Sequence, residues 1–294
     1  MLKCVLFLLS EYYYEIVLKR LDEICESLRP GQVRVRINKT AAGFTDQDMH
    51  AYPADKMETG CSREEMLVVT DQSQAAQLLL DEGWYVAALY HEGNRQESFP
   101  KVKYGLEDLF ELEYRAYDAA YRRLAGLPLD ILETRRLKVR EGTVEDVEAY
   151  YEIYSDPSIT LYMENLYEDK EVERDYMRAY IDRIYGFYGY GLWSVILKET
   201  GRVIGRAGLS VRQGYELPEL GFVIDVRYQK KGYGLEVCRA ILAYAKKELV
   251  FEKVQALVDK DNLISKRLLG KLGFVFDRRV CVKEHGYELF IKKL

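Results

Sequence analysis

Apolar residues return along this chain at two spacings, and each predicts its own kind of element. Between residues 12 and 28, Tyr13, Ile16, Val17, Leu21, Ile24 and Cys25 recur at helical intervals, which predicts one amphipathic helix. Apolar runs at 66–70 and 84–90 predict buried strands with a short helix over 73–80 between them, a β-α-β unit. Beyond residue 140 the pattern is more regular. Thr143 and Asp146 give a capping-box-like start, with Asp in place of the usual Glu or Gln, to a helix carrying Val147, Tyr150, Tyr151 and Tyr154 on one side. A second helix presents Val172, Tyr176, Met177, Tyr180, Ile181 and Ile184. Strands at 193–197 and 203–211 flank a turn at 198–202, a hairpin signal. A strand over 219–226, a helix over 234–248, a strand over 253–259, a helix over 263–272 and a strand pair around Glu284, His285 and Gly286 complete the order. This succession predicts an α+β fold around a mixed, mostly antiparallel sheet flanked by helices.

Length divides the picture in two. A chain of 294 residues exceeds the usual single core, and the clearest punctuation is Gly126, Leu127 and Pro128. The expected boundary lies near residue 130, with a smaller α/β domain over 1–130 and the α+β domain over 131–294. Composition narrows the function classes. With 48% hydrophobic and 31% charged residues and no long apolar stretch, the chain reads as soluble, without a membrane partner. The apolar start at 1–10 runs into an acidic, aromatic segment with no small-residue cleavage site, so the expected location is the cytoplasm. The net charge is -5 with scattered basic residues, which argues against a nucleic acid partner. The 5 cysteines are widely spaced, and His50, His91 and His285 lie far apart, so no metal site is expected. A homodimer stays open.

The segment 219–245 carries the chemistry. A buried strand runs into a basic turn, Gln229, Lys230, Lys231, Gly232, Tyr233 and Gly234, which opens a helix with Leu235, Cys238, Leu242 and Ala245 on one face. Glycines permit positive φ and close approach of backbone N–H groups to an anion, and the start of a helix favours negative charge. A diphosphate suits such a turn, and the two lysines add positive potential. The chain lacks the G-x-x-x-x-G-K-[ST] phosphate loop, and Val237 stands where a dinucleotide fingerprint needs its third glycine. The plain alternative is a tight strand-to-helix turn and nothing more.

The string QKKGYG resembles the Gln/Arg-x-x-Gly-x-Gly/Ala signature of the GNAT superfamily of N-acetyltransferases. Further on, Asn262, Ser265, Leu269, Lys271, Gly273 and Phe274 resemble that family's second segment, as found in the branch that includes ribosomal-protein N-terminal alanine acetyltransferases. The likeness spans residues 133–294. It implies a GNAT fold, acetyl-CoA as co-substrate, and acetyl transfer to a primary amine of a protein, a peptide or a small molecule. It puts the pantetheine arm along the strand of Ile224 and Val226, the Asn262 side chain against that arm, and the Ser265 hydroxyl near the sulfur. Asn262 and Ser265 also read as helix-capping residues. Glu219 matches an acidic residue that many members use as general base; Glu216 is a rival, and an ordinary strand-edge carboxylate is the alternative. Where some relatives have a tyrosine acid, this chain has Leu269. The loop between the first two helices lines the acceptor pocket in the family, which nominates Tyr162, Met163, Glu164 and Asn165.

The segment 67–90 resembles part of a haloacid dehalogenase-like domain. Leu8 and Ser10 stand where such hydrolases need carboxylates, so phosphatase activity is not expected. A regulatory protein that holds acetyl-CoA without turnover, with its first domain binding a ligand or partner, is the other class of function.

Overall fold

The computed structural model describes residues 1–40, 60–282 and 285–294, so His50 and Glu284 lie outside the described residues. The chain divides into two compact units, Met1–Leu127 and Pro128–Leu294.

The first unit is built on β1 (Cys4–Leu9), helices α1 (Glu11–Lys19) and α2 (Leu21–Leu28), and β2 (Arg34–Lys39). β3 (Met66–Thr70), α3 (Ser73–Asp81), β4 (Val86–Leu89), β5 (Gly105–Leu106) and α4 (Tyr114–Leu124) complete it. Its strands form a parallel sheet in the order β2-β1-β3-β4-β5. Every residue of β1 is buried: Val5, Phe7 and Leu9 face one apolar cluster, and Cys4, Leu6 and Leu8 face another. Covering a parallel sheet on both faces turns alternation into a continuous apolar run. The single helix expected over 12–28 is two. Arg20 leaves helical geometry at φ -122°, where its guanidinium pairs with Glu23 and lies 3.7 Å from the Phe110 ring centroid. At the carboxyl ends of the strands, the Ser10 N–H and hydroxyl donate to Asp71, and His91 Nε2 stands 3.1 Å from the same carboxylate.

The second unit opens with β6 (Asp130–Glu133), β7 (Leu137–Arg140), α5 (Val147–Tyr154), α6 (Pro157–Thr160) and α7 (Lys170–Tyr180). A π-helical turn, Ile181–Tyr185, extends α7. Then come β8 (Leu192–Leu197), β9 (Val203–Ser210), β10 (Glu219–Ile224), α8 (Tyr233–Lys247), β11 (Lys253–Asp259), α9 (Leu263–Leu272), β12 (Val275–Val282) and β13 (His285–Lys293). The capping box forms: Thr143 N–H donates to Asp146 Oδ2 at 3.0 Å, and Asp146 also pairs with Arg140. The sheet order is β12-β13-β11-β10-β9-β8-β7-β6, antiparallel throughout except between β10 and β11. Trp193, Leu220, Val237, Ile241 and Leu269 belong to its main core.

Candidate active site

The one parallel seam shapes the site. β10 and β11 pair in register only at Glu219 and Gln255, where Gln255 N–H donates to the Pro218 carbonyl at 2.9 Å; beyond that point the strands part. Asp225 N–H bonds across the other seam to Ile204, and backbone groups alternate sides along a strand, so Phe222 and Ile224 turn theirs into the wedge beside β11.

β10 ends two residues earlier than its apolar pattern implies. Asp225 accepts the Arg227 N–H at 2.9 Å, and Val226–Tyr228 form a 3-10 turn. Val226, expected on the strand beside Ile224, lies past its end and packs beside Ile153, Tyr154 and Ile159. Burial works to raise the Asp225 carboxyl, but its bonds to Arg227 prevail and hold it below the usual range. Gln229 turns back, and its Nε2 donates to the Ile224 carbonyl at 2.9 Å.

Lys230 and Gly232 both take left-handed backbone geometry, at φ 58° and 84°, and Gly232 is the N-cap of α8. Glu236 N–H is bonded to the Gly232 carbonyl at 3.0 Å, which leaves the N–H groups of Tyr233, Gly234 and Leu235 at the helix start pointing out of the turn. A Cβ on Gly234 would meet Leu268 Cδ1 at 3.2 Å, so glycine lets α8 and α9 lie close. Arg136 braces the turn. Its Nε donates to Glu236 at 2.7 Å, its Nη1 to the Lys231 carbonyl at 3.0 Å, and its guanidinium covers the Tyr233 ring; Thr134 Oγ1 donates to the same Glu236 at 2.6 Å. Sequence reading missed this brace, because the partners sit about one hundred positions apart and share no spacing rule.

A cavity of about 540 Å³ follows the wedge, in the size range of small-molecule sites. It brings together Ile224, Gln229, Lys230, Gly232, Tyr233 and Gly234 from the strand and turn with Asn262, the N-cap of α9, and Ser265 in its first turn. Tyr162 and Met163 join them from the loop after α6. Asn262 does cap its helix, Oδ1 accepting the Ser265 N–H at 3.0 Å, so capping and lining the cavity are roles of one residue.

Other nominated residues stand apart from the lining. The Lys231 ammonium lies over the Tyr228 ring, 5.3 Å from its centroid. Glu164 and Asn165 are exposed, and the Asn165 side chain accepts the Leu166 N–H at 2.8 Å. Glu219 sits at the vertex of the wedge, buried, with both oxygens taken by the Arg212 guanidinium. Leu269 is wholly buried in the core. Glu216 belongs to a separate surface depression with Tyr190, Tyr215 and Pro218. Among the described residues no group of three or more His, Cys, Asp or Glu gathers for a metal ion, and no helix is long and apolar enough to cross a membrane.

A helix opening behind a basic glycine turn, beside the one parallel seam of an otherwise antiparallel sheet, is the arrangement of an acyltransferase of the GNAT class. Residues 136–275 match the model of the acetyltransferase (GNAT) domain. YkkB of Bacillus subtilis, an uncharacterized protein, is 30% identical over 130 residues, covering 44% of this chain and 74% of that protein. The uncharacterized N-acetyltransferase YnaD of the same organism is 29% identical over 143 residues, covering 48% of this chain and 81% of its own length. Among solved structures, a putative GnaT-family acetyltransferase from Bordetella pertussis aligns with a TM-score of 0.50 at 20% identity, over 56% of this chain and 99% of that one. Through its second unit, the chain belongs to the GNAT acetyltransferase family.

Proposed function

We propose that the second unit moves an acetyl group from acetyl-CoA to a primary amine, at a protein or peptide N-terminus or on a small molecule, by direct attack in a ternary complex. One observation carries this reading: a single cavity joins the α8 turn to the wedge beside β10. The residues present suit the donor. The amides at the start of α8, with Lys230, match a diphosphate in charge and hydrogen-bonding sense. Phe222 and Ile224 offer backbone groups to the amides of a pantetheine arm, and the Ile224 N–H is suited to polarise a thioester carbonyl. Asn262 keeps its amide nitrogen for the arm, and the Ser265 hydroxyl is the group to meet the departing thiolate. Tyr162 and Met163 would flank the acceptor.

Calorimetry with acetyl-CoA, then thiol release over a panel of amines, tests the proposal. Binding together with transfer to at least one amine is expected; no binding at saturating acetyl-CoA overturns it. A non-catalytic acetyl-CoA-binding protein is the second reading, favoured because the described residues that line the cavity include Lys230, Arg267 and Lys271 and, among them, no Asp, Glu or His. Binding without thiol release on any amine would select it. For the first unit, the likeness to a haloacid dehalogenase-like domain rests on sequence alone, and the positions its chemistry needs hold Leu8, buried in the core, and Ser10, bonded to Asp71.

A further inference from the structure

An amine attacks a thioester only as the neutral base, yet near neutral pH an α-amine (pKa ~8) or a lysine (pKa ~10) is mostly protonated in solution. The cavity holds no obvious group to take that proton. Among the described residues its lining includes Lys230, Arg267 and Lys271 but no Asp, Glu or His, and Glu219 is occupied by Arg212.

Behind the cavity wall lies another cation. Arg206 of β9 is the cross-strand partner of Val223 and is only 7% exposed. Its guanidinium lies 4.5 Å from the Tyr150 ring centroid and bonds to Tyr154. Tyr154 packs with Ile159 and Val223, and both of these line the cavity. The groups around Arg206 are Tyr150 and Tyr154 from α5, Tyr180, Tyr176 and Glu173 from α7, and Tyr185 from the π turn. Burial pushes Tyr150 up to about 12 and raises Tyr154, Tyr176, Tyr180 and Tyr185 as well, so these hydroxyls stay neutral. Glu173 accepts the Tyr167 N–H at 3.1 Å. Asp146 is reached only through Tyr150 and Ser194 and is already paired with Arg140. Among the described residues no carboxylate comes within 4.0 Å of the Arg206 nitrogens, and its buried Nε has no hydrogen-bond partner.

We infer that Arg206 acts through its field to keep the bound acceptor amine unprotonated, so that the site takes up the free base and needs no carboxylate to strip an ammonium. The inference rests on the proposed N-acetyltransferase reading. A positive charge nearby disfavours the protonated form of an amine, and in a poorly polarisable interior that influence carries past Val223, which stands opposite Arg206 and lines the cavity. Burial keeps acceptor atoms from touching the guanidinium, so Arg206 is not a catalytic residue. The reaction balances without a carboxylate: the amine lone pair forms the N–C bond, the C–S bond breaks with its electrons going to sulfur, and the proton shed by nitrogen ends on the thiolate by way of the Ser265 hydroxyl.

The test is the pH dependence of kcat with acetyl-CoA and phenylethylamine, both saturating. In the wild type the acid limb should lie below the solution pKa of the amine. Arg206→Met should move the limb up, lowering kcat about tenfold at neutral pH and not at all above the solution pKa. Arg206→Lys should restore the wild-type profile. An unmoved limb, or a loss equal at every pH, overturns the inference. Should Arg206→Met not fold, or phenylethylamine not be acetylated, competition binding to the wild type decides: phenylethylamine must bind more tightly as pH rises while its neutral isostere propylbenzene stays constant, and tighter binding of the amine in acid overturns the idea. Acetyl-CoA calorimetry separates the two levels. Transfer with an unmoved limb sinks only the role of Arg206, whereas absent donor binding sinks the proposed function itself.

Discussion

Gly232 holds φ 84° at the head of α8, a conformation that costs an L-residue roughly 1–2 kcal/mol. Gly232→Glu adds that strain and sets a negative charge among the outward-facing amides. Calorimetry should show acetyl-CoA affinity down by more than about tenfold; unchanged affinity would remove the turn from the donor site. Glu219→Gln is expected to behave otherwise. Because both carboxylate oxygens serve Arg212, the substitution should cost on the order of 1 kcal/mol of stability, discounted for the exposure of that arginine, and leave the acid limb of kcat in place. A limb that shifts in Glu219→Gln would restore it as the base. The glycine turn, Asn262 and Ser265, which line one cavity, could be nominated from sequence because short contiguous stretches hold them. Arg206 left one faint trace, a charge within the apolar run of β9, and what gives it meaning is a set of tyrosines from α5, α7 and the π turn that no local pattern connects.

At the scale of elements, α8 is held by the brace of Thr134, Arg136 and Glu236. Burial raises the Glu236 carboxyl, but Thr134 and Arg136 outweigh it and the group sits below the ordinary range. A carboxyl that binds its proton less readily when folded contributes stability that is complete above its unfolded pKa, about 4.3, and lost as pH falls through the folded value. Glu236→Gln should therefore be less stable than wild type by about 1–3 kcal/mol at pH 7, with the gap closing in acid below about pH 4. Urea unfolding at the two pH values checks this; an equal gap at both would assign the loss to packing. The sequence pattern located most elements of the second unit, but it misplaced one strand end there and overlooked one helix break in the first unit, both for physical reasons. Val226 continues an apolar run, but the side chain of Asp225 bonds the backbone ahead of it and turns the chain. At Arg20 the helical spacing runs unbroken through a residue whose backbone leaves the helix.

At the scale of the molecule, each unit has its own sheet and its own apolar clusters. A fragment beginning at Pro128 should fold cooperatively and bind acetyl-CoA within about threefold of the full chain, as expected where a domain has its own core. Thermal unfolding and calorimetry on the fragment measure both, and lost affinity in a folded fragment would show that the first unit contributes to the site. The architecture of the second unit was legible through the hairpin turn at 198–202, the glycine turn ahead of α8 and the amphipathic helices, because β8, β9 and β10 are themselves buried on both faces and hardly alternate. That of the first was legible only in part, as one β-α-β unit, since strands covered on both faces lose their period and look alike. The parting of β10 from β11 has a further effect. It sets a hydrogen-bonding border in the interior of an eight-stranded sheet, away from the rim where a strand from another molecule could add itself. Backbone groups left open there lie where no sheet edge is offered, so the parting does not itself create a template for strand addition between molecules.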